Sequence, residues 1–173
     1  MRLKSLQNRR SGTHSVECAI VYPVVFFFIL ATLTGGIGIF QYQQVAHLAR
    51  EAARYASAHG AQYQQENDTA IQAGTLPNVT EDYLKNNIIA PQLTWMKPSQ
   101  VQVTTLFNQP SGSTGWDATS NRSPTTQYTD ANSGAQYSVT NTVTVTVTYQ
   151  WYPLLFIVGP ITLTSTSVMP MTY

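Results

Sequence analysis

From Cys18 to Ala49 the chain carries no charged side chain over 32 residues. Nothing else in the sequence constrains the fold as strongly. The apolar part, Cys18 to Phe40, reads CAIVYPVVFFFILATLTGGIGIF. As a helix it rises about 35 Å, enough to cross a hydrocarbon core of about 30 Å with some tilt. A cleaved secretory signal has a shorter apolar region and ends at small residues. This run instead passes directly into Gln41-Tyr42-Gln43-Gln44. It predicts a retained single-pass anchor spanning about residues 18–40.

Charge placement supplies the orientation. Four of the nine basic residues, Arg2, Lys4, Arg9 and Arg10, lie in the first ten positions. Beyond residue 12 there remain five Lys/Arg against eight Asp/Glu. The basic tip predicts a cytoplasmic N-terminus, with the bulk of the chain outside. A formal net charge of +1 leaves no nucleic-acid footprint. Cys18, the single cysteine, excludes an intrachain disulfide and reads as a small hydrophobe. A lipoprotein signal would need small residues before it, and Val16-Glu17 does not fit.

Pro23 removes one backbone hydrogen bond inside the span, so a local kink is expected there. Gly35, Gly36 and Gly38 admit two readings, close approach of another helix or local flexibility. Beyond the membrane, Val45, Leu48, Ala49, Ala52, Ala53 and Ala56 recur at helical spacing on one small-residue face. They extend the predicted helix over about 13–60, with Gly60 as C-cap. His47 and His59 lie on this segment without carboxylate neighbours and read as surface or packing residues.

At the membrane entry the sequence is Arg9-Arg10-Ser11-Gly12-Thr13-His14-Ser15-Val16-Glu17. A lone acid stands at the mouth of the apolar helix, five positions after Gly12. In the headgroup layer it costs little. Alternatively, a cut after Gly12 would create an amine at Thr13 that Glu17 of a neighbouring helix could pair with.

These residues resemble a type IV prepilin leader: a short basic peptide, Gly at the cut, Glu at the fifth mature position, then an apolar helix. The resemblance implies a cytoplasmic-side cut between Gly12 and Thr13 by a prepilin peptidase, a leader 1–12, and Glu17 as the alignment residue. The longer string RRSGTHSVECAIVYPVVFFFILATLTGGIGIFQYQQVAHLAREAARYA is similar to the TadE-type pseudopilins of tight-adherence (Flp) pilus systems. Shared features are the basic residues, Gly12, a Glu-x-Ala core, Pro23 and the Ala-rich continuation Arg50–Ala56. The C-terminal Val/Thr and Thr/Ser strands are similar more loosely. Thr13 departs from the N-methylated Phe of many pilins. The resemblance implies a non-enzymatic pilus component in the inner membrane, or carried into a surface pilus. Its partners would be the peptidase, other pilins or pseudopilins in a homo- or hetero-oligomer, and the assembly platform.

Residues 61–173 read as a small extracytoplasmic α+β domain, so the whole chain is α+β and pilin-like. Polar residues from Gln62 to Asp68 suggest an exposed turn or helix end. Thr80 is the N-cap of a short helix with Tyr83, Leu84 and Ile88 as its buried stripe, stopped by Pro91. Three strands follow. Val101, Val103 and Thr105 alternate with polar residues in the first. Val139, Val143, Val145, Val147 and Tyr149 alternate with threonines in the second, and Ile161, Leu163 and Ser165 with threonines in the third. They predict a roughly three-stranded antiparallel sheet on the long helix. The polar stretch from about 109 to 136 reads as a mobile loop, in which Trp116 is either an anchor or a contact residue. The apolar run Leu154–Val158 either packs under the sheet or meets the membrane or a partner.

No phosphate-cradling glycine loop, nucleophile elbow, paired Cys/His spacing or basic-aromatic patch occurs. No cofactor or metal is expected. Two functions are left: a structural pilus component, or an uncleaved signal-anchored binding or sensing domain in which Glu17 is incidental.

Overall fold

The computed structural model describes the backbone of residues 11–119, 122–153 and 159–172, and side chains from residue 14 onward. Residues 1–10 of the expected leader and the run Leu154–Val158 lie outside the described residues. Helix α1, Ser11–Ser57, is continuous through Pro23 and about 70 Å long. Its buried positions Thr34, Gly38, Gln41, Val45, Leu48, Ala49, Ala52, Ala53 and Ala56 return once or twice in each helical turn. They form one stripe, the packing face of an amphipathic helix. All six positions of the expected small-residue face lie in the core. Alanine keeps the helix axis close to the sheet.

The main sheet has four strands, with β5 (Thr142–Trp151) paired on both sides. Its order is β2 (Gly112–Gly115), β1 (Val101–Gln109), β5 (Thr142–Trp151), β6 (Ile161–Pro170), antiparallel throughout. β1 and β5 register from Val101 opposite Tyr149 to Asn108 opposite Thr142. β5 and β6 register from Thr142 opposite Pro170 to Trp151 opposite Ile161. Val143, Val145, Val147 and Tyr149 are buried while the intervening threonines are half-buried, the period-two burial of a strand with one covered face. α1 packs across β5 and β6, so the valine face of the sheet meets the alanine face of the helix.

The second expected strand breaks at Asn141. β4 (Gln136–Thr140) pairs with β3 (Thr125–Thr129) in a separate hairpin, and Asn141 lies between β4 and β5. Its side-chain nitrogen donates to the Ser123 carbonyl at 2.8 Å and to Thr126 Oγ1 at 2.8 Å. Its backbone N–H donates to the Pro124 carbonyl and its carbonyl accepts from Met171. A buried amide bonded on several sides turns the chain from one sheet to the other.

Residues 109–136, expected as a loop, instead carry β2, a 3-10 turn at Trp116–Ala118, all of β3 and the start of β4. Trp116 is fully buried, and its indole Nε1 donates to the Val79 carbonyl at 2.8 Å. It is the anchor of the segment. The stretch after Gly60 differs too. α1 ends at Ser57, and Gly60 is the N-cap of a second helix, α2 (Ala61–Gln72), not a C-cap. Amide–carboxylate pairs one turn apart, Gln62 to Glu66 and Gln72 to Asp68, support this polar helix.

Thr80 caps as expected, accepting from Tyr83 N–H at 3.1 Å. The helix from Glu81 to Tyr83 then widens into a π-helical turn, Leu84–Ile89, before a 3-10 turn at Ala90–Gln92. With the wider winding, Leu84 and Ile89 are both fully buried and Ile88 only packs against the core margin. The apolar stripe has moved one residue from the predicted Ile88.

Candidate assembly surface on the N-terminal helix

The domain leaves the first part of α1 bare. Burial on the helix begins at Thr34, whereas Val16, Ile20, Tyr22, Phe26, Phe28 and Leu33 are 60–70% exposed. α1 is long and apolar enough to cross a membrane, with a mean hydropathy of 2.3 in its most apolar window and none of that window buried. An apolar surface of this extent is energetically unfavourable in water, and it calls for lipid or other helices around it.

Glu17 sits at the start of this bare surface, 70% exposed, with its Oε2 3.8 Å from His14 Nδ1. The bond between Gly12 and Thr13 lies in the first turn of α1. Residues 12, 13 and 17 therefore share one helix end, five residues spanning about 7.5 Å. Pro23 stands six residues further along the same uninterrupted helix. Cys18 is a half-buried free thiol.

The other end of α1 is fixed to the domain by three contacts that the sequence did not reveal. The Trp151 ring lies against Gly38, where an added Cβ would come within 2.7 Å of it. The three glycines therefore divide: Gly38 provides a close approach for the chain's own tryptophan, and Gly35 and Gly36 face open space. With its nitrogen turned to the Thr94 carbonyl, the Gln44 amide donates there at 2.8 Å and accepts from Thr94 N–H at 3.2 Å. At the helix end the Ser57 carbonyl accepts from both the N–H and the hydroxyl of Thr172, at 3.1 and 3.2 Å.

His59 is a packing residue. It stacks on Tyr55 with centroids 4.0 Å apart and meets Tyr63 edge-on at 4.4 Å, and its Nδ1 lies 2.7 Å from the Tyr55 carbonyl. Burial, followed by the hydrogen bond with Tyr83, pushes the Tyr55 hydroxyl well above the usual phenol range. His47 is exposed on α1. Among the described residues no three His, Cys, Asp or Glu side chains are grouped so as to hold a metal ion.

Arg122 is the buried cation of the domain, 4% exposed. Its Nε and Nη2 donate to the Trp116 carbonyl and its Nη1 to the Val79 carbonyl, and the guanidinium carbon lies 4.2 Å from the Trp116 ring centroid. Desolvation lowers its pKa, partly offset by Asp117. Asp117 in turn accepts from Glu81 N–H at 3.1 Å, adding a second cap to the short helix beside Thr80. These contacts fasten the 3-10 turn to the segment before the short helix. Every polar group involved has a structural partner.

Residues 12–54 match the model of the TadE-like protein family. The match covers about a quarter of the chain, and it takes in Gly12, Thr13, Glu17, Pro23 and the small-residue face up to Ala53. No curated protein and no solved structure matches the chain.

Proposed function

We propose that this chain is a pseudopilin or minor pilin of a tight-adherence pilus system, acting by helix packing after a prepilin peptidase cuts between Gly12 and Thr13. The TadE-like match connects it with pilus assembly. The observation that carries the finer reading is the bare apolar surface of α1 with Glu17 exposed at its mouth, five residues after Gly12. In the inner membrane the N-terminus faces the cytoplasm and the domain faces outward. Cleavage removes the basic tip and leaves an amine at Thr13. Glu17 of one subunit pairs with the Thr13 amine of the next. In the low dielectric between packed helices such a pair sets axial register more than it adds stability.

Mass spectrometry of the membrane-extracted protein tests the cut. A mature chain starting at Thr13 when the peptidase is present is expected, and a chain starting at Met1 in those cells overturns the proposal. Glu17→Ala tests the pairing. It should leave insertion and the cut intact while abolishing cross-linking to neighbouring subunits. Unchanged cross-links would favour an uncleaved, signal-anchored binding or sensing domain.

A further inference from the structure

Trp95 is 84% exposed and has φ of 64°, a left-handed backbone conformation that bulky residues rarely adopt. The turn carrying it is not loose. The neighbouring Thr94 is held to α1 by the Gln44 amide, and Met96 on its other side is buried in the core. The fold thus holds a large indole outward at a fixed place.

That place is where the bare helix ends. Trp95 borders a groove formed with Leu33, Gly36, Ile37, Phe40 and Gln41 of α1. The groove continues past Lys97, Trp151 and Tyr152 under the end of β5. From Val16 to Leu33 the helix rises about 27 Å, close to the thickness of a bilayer core. The level of Thr34 to Gln41 then falls at the outer membrane boundary. Indole and phenol rings partition to such a boundary because their bodies are apolar and their N–H and O–H groups need polar partners. Lys97, which lines the groove, has the charge complementary to a lipid phosphate and a stem long enough to reach it. Gln41, 5% exposed, lines the same groove with an Oε1 lacking a hydrogen-bond partner among the described residues.

We infer that the underside of the domain, with Trp95, Trp151, Tyr152 and Lys97, is a seat on the outer phospholipid headgroup layer, with the indole of Trp95 inserted at the headgroup–acyl boundary. The inference rests on α1 being a membrane anchor and deepens that reading. α1 alone fixes the span only to within its tilt and sliding. The seat fixes the height and the orientation of the domain above the bilayer, so that a row of anchored subunits presents its helices at one depth.

The test uses the full chain reconstituted in phosphatidylcholine vesicles, with or without lipids brominated near the headgroup end of the acyl chain. Its three tryptophans include an internal reference, Trp116. It is buried in the domain, next to Arg122, whose carbonyl accepts from Ala61 beyond the far end of α1. Brominated lipid should quench emission, and Trp95→Phe should roughly halve the lipid-quenched part, since one of two interfacial indoles is gone. The Trp116 emission should stay unchanged. In a Cys18→Ala background, which leaves a single thiol, Lys97→Cys carrying an environment-sensitive dye should shift to the blue in vesicles, an independent reading should the Trp95 variant misfold. Quenching of Trp95 by aqueous iodide and not by bromolipid, in a chain that resists alkaline carbonate extraction, overturns the seat and leaves the anchor standing. Quenching by neither means that protein covers the groove, which also overturns it. A chain stripped by carbonate overturns both.

Discussion

Trp151 fills the space that a side chain at Gly38 would need. A Cβ placed on Gly38 would lie 2.7 Å from Cη2 and 2.8 Å from Cζ3 of the indole, inside the 3.0 Å that nonbonded contacts of a Cβ essentially never reach. A strand end and the outer part of the apolar helix are therefore interlocked at one glycine. This contact sets how far up the helix the domain begins.

Gly38→Ala should force the indole off the helix and cost about 1–3 kcal/mol, the usual penalty for overpacking. For a chain of this size the thermal midpoint falls by roughly 2–4 °C per kcal/mol. Gly35→Ala is the control. Nothing lies within 4 Å of its Cβ position, and alanine favours a helix over glycine by about 1 kcal/mol, so stability should hold or rise. Thermal unfolding in detergent micelles, followed by near-ultraviolet circular dichroism, measures both. Equal behaviour of the two variants would refute the interlock.

Arg122→Lys should be costly although the charge is kept. The guanidinium reaches two carbonyls with three nitrogens, at 3.1, 2.8 and 3.2 Å, and lies over the Trp116 ring. An ammonium cannot reproduce that planar fork. A lost charged hydrogen bond to a buried carbonyl costs about 1.5–3 kcal/mol, and the urea midpoint should drop accordingly. An unchanged midpoint would mean that the 3-10 turn at Trp116 is held by the indole alone.

Much of this fold was legible where residue type and spacing act together. Ala49, Ala52, Ala53 and Ala56 of α1 fall on one helical face and reach the core, and the valines of β5 alternate as a half-covered strand requires. What stayed hidden depended on distant partners. β2 (Gly112–Gly115) has no apolar residue, and it is a strand because β1 offers it an open edge, with Leu106 opposite Gly115 and Gln109 opposite Gly112. α2 reads as a polar turn until its own amide–carboxylate pairs are seen. Of the candidate surface, Gly12 and Glu17 stood out because their spacing falls between the basic tip and the apolar run. Trp95 was silent, because the sequence does not reveal that Gln44 grips the residue before it.

The shift from Ile88 to Ile89 has a direct energetic consequence. A regular helix would bury Leu84 with Ile88, and a π-turn buries Leu84 with Ile89, whose following residue Ala90 donates to the Lys85 carbonyl five positions back. Ile89→Ala should therefore cost about 2–5 kcal/mol, as buried isoleucine truncations do. Ile88→Ala, at the margin, should cost clearly less. Chemical denaturation of the two variants reads the difference directly, and the reverse order would mean that the segment winds as an ordinary α-helix.

The β3–β4 hairpin stands outside the main sheet, and its turn carries an acid that titrates with folding. Asp130 Oδ1 accepts from Asn132 N–H at 2.7 Å, the Asp130 carbonyl accepts from Gly134 N–H at 2.8 Å, and Gly134 takes the positive φ of 69° that closes the turn. The N–H groups of Asn132 and then Ser133 hold the Asp130 carboxyl below its usual range. A carboxyl whose pKa is lower folded than unfolded adds stability that is present above the unfolded value of about 3.9. That stability is lost as pH falls through the folded value. The turn should therefore open locally in acid, below the unfolded value, before the main sheet responds. Amide exchange at Asn132 and Ser133 should accelerate over that range, and the Tyr128–Tyr137 ring contact, 5.3 Å between centroids, should loosen with it. Asp130→Asn keeps an acceptor oxygen but removes the titration, so its exchange profile should lose the acid step. If wild type and variant open together as pH falls, the acid response of the hairpin comes from elsewhere in the chain.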